Sequence, residues 1–224
     1  MTIEIRPTAK AKSWSFSALS NYEQCAWKYY LERFEKIEQE PGFALVNGVQ
    51  IHTKAEQYLR KNITGVPPEL NKFKVEMKNL LKHEALAEEE IVLDRHWMTV
   101  KGEDAWSSSN AWIRAKVDAR VGDFVVDFKT GRAYDKYSEQ ADLYATLLNQ
   151  KYPDIGDITV EFWYLKSGQV QTYEFAASEQ QLRLELWDSR ASKLMQEKEW
   201  KPKRNEYCKF CHVQEHCSFF NART

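Results

Sequence analysis

The run from Val117 to Gly131 constrains the fold more than any other part of the chain. Apolar and polar residues alternate on either side of Gly122, which predicts a strand, a tight turn and a second strand ending at Gly131. Side chains alternate across a strand, so Asp127 and Lys129 share one face while Phe128 takes the other. Asp118 closes the preceding strand, in which Ile113, Ala115 and Val117 alternate with Arg114, Lys116 and Asp118. A hairpin of this kind gathers two carboxylates and a lysine on the polar side of a sheet.

Helical and extended patterns follow one another on both sides of this hairpin. Ser17 is a candidate N-cap for a helix whose stripe runs through Leu19, Tyr22, Ala26, Tyr29, Tyr30 and Arg33, with Cys25 beside it. Its aromatics read as core. Pro41-Gly42 breaks the chain, and a helix from about Leu45 to Asn62 places Leu45, Val49, His52 and Leu59 on one inward face. His52, one turn after Gly48, is then a core histidine or a ligand. Thr64 to Pro68 ends this helix, and another is expected over Glu69–Leu86. The acidic run Glu88-Glu89-Glu90 leads into a strand at Ile91-Val92-Leu93; such runs are usually solvated surface, with Glu90 the member placed to face a site. A helix over Tyr137–Lys151 projects Gln140 and Tyr144 together, one turn apart. Two strands follow near Ile158–Leu165 and Val170–Phe175. Ser178-Glu179-Gln180-Gln181 then reads as a capping box for a helix reaching about Glu197. This order predicts an α/β fold with helices flanking a small mixed sheet.

The chain has 224 residues, enough to bury a core, and a formal net charge of −1, which leaves room for a local basic groove without marking a uniformly basic protein. The first residues lack the apolar centre of a signal peptide and no apolar run reaches membrane-spanning length, so a cytoplasmic protein with no membrane partner is expected. The cysteines are Cys25, Cys208, Cys211 and Cys217. The crowded C-x2-C-x5-C spacing in a reducing compartment favours one shared metal or iron–sulfur centre over disulfides. His212 and His216 lie among these cysteines, so a zinc site with mixed ligands satisfies the same spacing.

Hydrolysis of a phosphodiester needs charge neutralisation, a nucleophile made from water and a stabilised leaving oxygen. Mg²⁺ or Mn²⁺ held by carboxylates supplies all three. Asp118 and Asp127 are candidate ligands, with the backbone carbonyl of Phe128 and the imidazole of His52; the imidazole suits Mn²⁺ better than Mg²⁺. Lys129 is the candidate to orient water and offset phosphate charge. Taken alone, Asp127 and Lys129 read more readily as a surface ion pair on a strand than as a site.

Gly48-x3-His52, Asp118, Asp127-Phe128-Lys129-Thr130-Gly131 and Gln140-x3-Tyr144 together resemble the RecB-type branch of the PD-(D/E)XK nuclease superfamily, whose motifs come in this order. One cysteine before these motifs and three after them resemble the iron–sulfur nucleases of that branch, the CRISPR-associated exonucleases and their phage-borne relatives. The resemblance implies a restriction-endonuclease-like core and a [4Fe–4S] cluster on Cys25, Cys208, Cys211 and Cys217 that joins the two chain ends. It implies a single domain over residues 1–224: a helical segment 1–44, a nuclease core 45–197 and a cysteine segment 198–224. It also implies a metal-dependent DNA exonuclease acting on single strands or free ends, 5′→3′, in which Gln140 and Tyr144 contact the strand or position Lys129. Val117 and Ala115 stand where the superfamily often has proline and glycine, and neither change removes a ligand.

Two other functions share the scaffold: a non-catalytic DNA-binding module and a structure- or sequence-specific endonuclease. Degenerate relatives lose the lysine or an acid, and both are present here. Digestion of closed circular against linear DNA separates the endonuclease.

Overall fold

The computed structural model describes residues 9–132 and 137–221. The helices are α1 (Phe16–Gln24), α2 (Ala26–Arg33), α3 (Phe43–Leu59), α4 (Lys74–Lys82), α5 (Tyr137–Lys151), α6 (Gln180–Gln196) and α7 (Ser218–Asn221). The strands are β1 (Leu86–Leu93), β2 (Ile113–Val121), β3 (Phe124–Lys129), β4 (Ile158–Tyr164) and β5 (Gln169–Phe175). They lie in sequence order in one sheet, antiparallel except for β3 and β4, which run parallel. Parallel neighbours require a crossover, and α5 supplies it. None of the described helices is long and apolar enough to cross a membrane.

The chain divides into two compact units, Pro41–Glu185 and Met1–Glu40 with Leu186–Thr224. The sequence reading placed its breaks at 44 and 197.

In the Pro41–Glu185 unit, one sheet face packs on α3, α4 and a 3-10 turn at Pro68–Phe73. Ile51, Ala55, Tyr58, Phe73 and Met77 meet Ala119, Val126, Phe128 and Trp163 there, with Phe73 stacked on Trp163 at 4.9 Å. Burying each such aromatic contributes about 1.5–3 kcal/mol. The alternation of β3 sends Val125, Asp127 and Lys129 to the opposite face, which α5 covers with Ala141, Tyr144, Ala145 and Leu148 buried. The β2–β3 turn is tight: Val121 pairs with Phe124, and Gly122 takes a φ of +58°, which favours glycine.

Several sequence expectations are corrected. The inward face of α3 is Gly48, Ile51, Ala55, Tyr58 and Leu59; Leu45 and Val49 are 62% and 60% exposed. The helix carries two apolar stripes, and the one with small residues at Gly48 and Ala55 is the one that approaches the sheet closely. The helix expected over Glu69–Leu86 is a 3-10 turn followed by the shorter α4, and β1 begins at Leu86, so the acidic run lies inside a strand. Ser178 lies within a 3-10 turn, Ala177–Glu179, that leads into α6.

In the other unit, the expected first helix is two. Ser15, not Ser17, caps α1 by accepting the Ala18 amide hydrogen at 3.3 Å. The chain becomes extended at Cys25 (φ −163°, ψ 107°) before α2 starts. Trp200, fully buried, is surrounded by the rings of Tyr22, Tyr29, Tyr30 and Phe34 at 5.3–6.2 Å.

Candidate active site

The β2–β3 ladder pairs Val121 with Phe124, Arg120 with Val125 and Ala119 with Val126, and then stops. The next pair would be Asp118 and Asp127. Instead, the strands part and the Asp118 carboxylate enters the gap: its Oδ2 accepts the Phe128 amide hydrogen at 2.6 Å. Its Oδ1 lies 3.0 Å from Nδ1 of His52, which α3 brings to the same place. The buried Phe128 ring packs edge-on to His52 at 6.2 Å.

Asp127 is 4% exposed and is held from the other side. Tyr144 donates its hydroxyl hydrogen to Asp127 Oδ2 at 2.8 Å, and Gln140 Nε2 donates to the same oxygen at 3.3 Å. Lys129 Nζ stands 2.7 Å from Asp127 Oδ1 and donates to Gln140 Oε1 at 2.9 Å. Its ammonium also lies over the rings of Tyr137 and Phe162, at 4.4 and 4.7 Å. This arrangement follows from the crossover, because α5 returns directly across the face on which Asp127 and Lys129 project. Tyr144 is buried, yet it spends its hydroxyl on the site, so a core position and a site position coincide in one residue.

The sequence reading missed Glu88. Its carboxylate lies with a His52 ring nitrogen and an Asp118 oxygen, all within 4.8 Å of one another. Among the described residues Asp127 does not join that group, because it is turned to Lys129. Glu90, in a run read as solvated surface with Glu90 the member able to face a site, is ion-paired to Lys116 at 3.3 Å and 44% exposed. The available signal was strand parity: Glu88 and Glu90 alternate with Glu89, but only the ladder shows that Glu88 lies opposite Asp118.

The electrostatics are those of a carboxylate cluster short of cations. Burial opposes the charged form of His52, but its bond to Asp118 and the charges of Asp118, Asp127 and Glu88 outweigh this and push it up to about 9. Burial raises the Asp127 carboxyl, Lys129 opposes this, and Asp118 adds to it. Burial and then Asp118 raise Glu88. Burial and the neighbouring carboxylates also hold the Tyr144 phenol well above its ordinary range. A divalent cation fits this donor set: one imidazole nitrogen and the carboxylate oxygens of Glu88 and Asp118 converge within 4.8 Å of one another.

In the other unit, Cys25, Cys208, Cys211 and Cys217 are free thiols that line one cavity of about 410 Å³. Cys25 reaches it because the chain is extended between α1 and α2, and the Lys203 amide donates to its sulfur at 3.4 Å. The Asn205 amide donates to Cys208 Sγ at 3.3 Å. Burial raises the Cys211 thiol. Among the described residues, no three of these sulfurs and neighbouring histidines lie mutually within 4.8 Å. His212 is directed to Glu32 at 3.5 Å.

A family model for the PD-(D/E)XK nuclease superfamily matches residues 13–124 and 113–218. No curated protein matches the sequence. Among solved structures, the fold is similar to that of the protein SSO0001, at 16% identity and TM-score 0.52, over 95% of this chain and 88% of that one. A protein from Eubacterium rectale, described as a candidate exonuclease, is similar at 12% identity and TM-score 0.49, over 89% of this chain and 87% of that one. With the matched segments spanning the sheet, the crossover helix and every residue of the constellation around Asp118 and Asp127, the chain belongs to the PD-(D/E)XK nuclease superfamily.

Proposed function

We propose that this protein is a divalent-metal-dependent DNA exonuclease of the RecB-type branch, acting on single strands or free ends with 5′→3′ polarity. What supports this most is one juxtaposition: Lys129 is fixed 2.7 Å from buried Asp127 by Gln140, beside the converging carboxylate and imidazole of Asp118 and His52. The branch rests on the order of the motifs around His52, Asp118, Lys129 and Tyr144, and the polarity on analogy with that branch.

His52, Asp118 and Asp127, with the Phe128 carbonyl, would hold Mg²⁺ or Mn²⁺. That ion, when bound, neutralises phosphate charge and supplies a nucleophile from water. Lys129 orients the attacking water through its ammonium hydrogens and offsets charge on the phosphate as the water oxygen bonds to phosphorus and the ester oxygen leaves. Gln140 fixes Lys129 through its carbonyl oxygen and Asp127 through its amide, so one side chain sets the distance between base-side and acid-side groups. Tyr144 keeps the Asp127 carboxylate turned toward Lys129.

The four cysteines would hold a [4Fe–4S] cluster. Zinc is the alternative occupant, since the same thiols are zinc ligands by type, and the thiols line one cavity in either case. Around the cavity, Tyr207, Phe210, Phe219 and Phe220 are exposed, and Lys203, Arg204 and Lys209 line it. Exposed aromatics interleaved with basic residues suit unpaired bases and their phosphates.

The decisive assay uses end-labelled linear DNA with Mg²⁺ or Mn²⁺. Asp127→Ala should abolish cleavage while iron content is unchanged, and undiminished cleavage would refute the assignment. Blocking 5′ ends should stop digestion; continued digestion of blocked or closed circular DNA would point to an endonuclease.

A further inference from the structure

Glu88 lies in the middle of β1 with a φ of +53°, a left-handed conformation that residues other than glycine rarely adopt. On either side of it the ladder is regular, with Ala87 opposite Ala119 and Glu89 opposite Val117, while the facing pair, Glu88 and Asp118, is not made. The Glu88 side chain is 18% exposed, and the Lys116 ammonium lies 3.7 Å from its carboxylate. The Asp118 carboxylate has meanwhile left the β1 side of its strand for the Phe128 amide and His52. A carboxylate is thus held largely out of solvent, without a hydrogen bond among the described residues, close to a second carboxylate and an imidazole.

We infer that Glu88 is a direct ligand of the divalent cation, completing with His52 and Asp118 a one-nitrogen, two-carboxylate seat centred on Asp118. This rests on the nuclease reading above and adds a residue and an ion preference to it. Asp127, the remaining carboxylate ligand of the reading above, is turned to Lys129 and closes the seat from the phosphate side. An imidazole with two carboxylates selects a Mn²⁺-type ion over Mg²⁺, which dehydrates reluctantly and favours all-oxygen shells.

The test is Mn²⁺ binding to the full chain without DNA, followed by loss of the free-ion electron paramagnetic resonance signal. One site is expected, with imidazole-nitrogen modulation in its spin echo that His52→Ala removes. Glu88→Gln, which keeps shape and removes the charge, should raise the Mn²⁺ dissociation constant by about tenfold or more. Glu88→Asp should restore part of it, and Glu90→Gln should leave it unchanged. If Asp118→Asn abolishes binding while Glu88→Gln binds as tightly as the parent, the inference falls and the nuclease reading stands. If the parent chain binds no Mn²⁺, or Asp118→Asn binds it normally, both fall. A melting curve for Glu88→Gln matching the parent's excludes misfolding as the source of the loss.

Discussion

Gln140 is bonded to both Lys129 and Asp127: it accepts from the ammonium at 2.9 Å and donates to the carboxylate at 3.3 Å. The two charged groups are therefore spaced by a neutral amide on a different element, not by their own strand alone. Gln140→Ala should lower kcat by about tenfold to a hundredfold with little change in KM, because the lysine loses its fixed orientation while DNA contacts remain. Steady-state kinetics on single-stranded DNA checks this, and a rise in KM alone would contradict it.

Tyr144→Phe removes a hydroxyl that serves a buried carboxylate. Asp127 Oδ2 then keeps only the longer Gln140 bond, and the fold should lose about 1–3 kcal/mol. Denaturant unfolding of the metal-free protein measures it, and added Mn²⁺ should recover part of the loss.

Gly48 of α3 lies close to Thr130, the residue that follows β3: a Cβ there would meet Thr130 Oγ1 at 3.1 Å. Gly48→Ala should keep the helix, which alanine favours by about 0.5–1 kcal/mol, yet reduce cleavage by displacing Thr130. The double variant Gly48→Ala/Thr130→Ala, which removes the obstructing oxygen, should regain activity; failure to do so would place the defect elsewhere.

Glu89, on the same strand as Glu88, binds Arg120 at 2.5 Å, Lys151 at 2.7 Å and Tyr152 at 2.6 Å. Burial works to raise its carboxyl, but these bonds outweigh burial and hold it below the usual carboxylate range. Its pKa is thus lower folded than unfolded, so its contribution is present above the unfolded value and fades as pH falls through the folded one. Glu89→Gln should flatten the acid limb of a stability–pH curve below about pH 4.5. At neutral pH, Glu89→Ala should cost about 3–5 kcal/mol by stranding Arg120 and Lys151.

Cys25→Ser should lower iron and sulfide content and the melting temperature of the anaerobically purified protein, as loss of one thiolate opens the cluster. A colourless parent protein with stoichiometric zinc would remove the cluster from the account.

Much of this was legible in advance where a single period decided it. The alternation of β3 put Asp127 and Lys129 on one face, and the helical spacing of Gln140 and Tyr144 pointed them together. Local pattern failed where two patterns competed or tertiary contact chose. On α3 the stripe through Leu45 and Val49 is as regular as the one through Ile51 and Ala55, and only the sheet selects between them. Cys25 sits in an unbroken helical stripe, and nothing in its neighbours announces an extended residue. Glu88 was hidden by its own composition, since three glutamates in a row read as surface, and neither its positive φ nor its place opposite Asp118 leaves a mark in the sequence.

The division of the chain has a consequence for biosynthesis. The unit holding Asp118 and Asp127 is one continuous segment, Pro41–Glu185, whereas the other is assembled from Met1–Glu40 and Leu186–Thr224. A ribosome delivers the catalytic segment whole before the last part of its companion exists, and domains fold as units in the order they emerge. The rings of Tyr29 and Tyr30 must therefore wait for Trp200 through the synthesis of about 170 intervening residues, and Cys25 for Cys208 through about 180. A nascent chain of this protein would hold a formed nuclease sheet while its cysteine-bearing end still lacked a partner, so the proposed cluster would be inserted late in maturation.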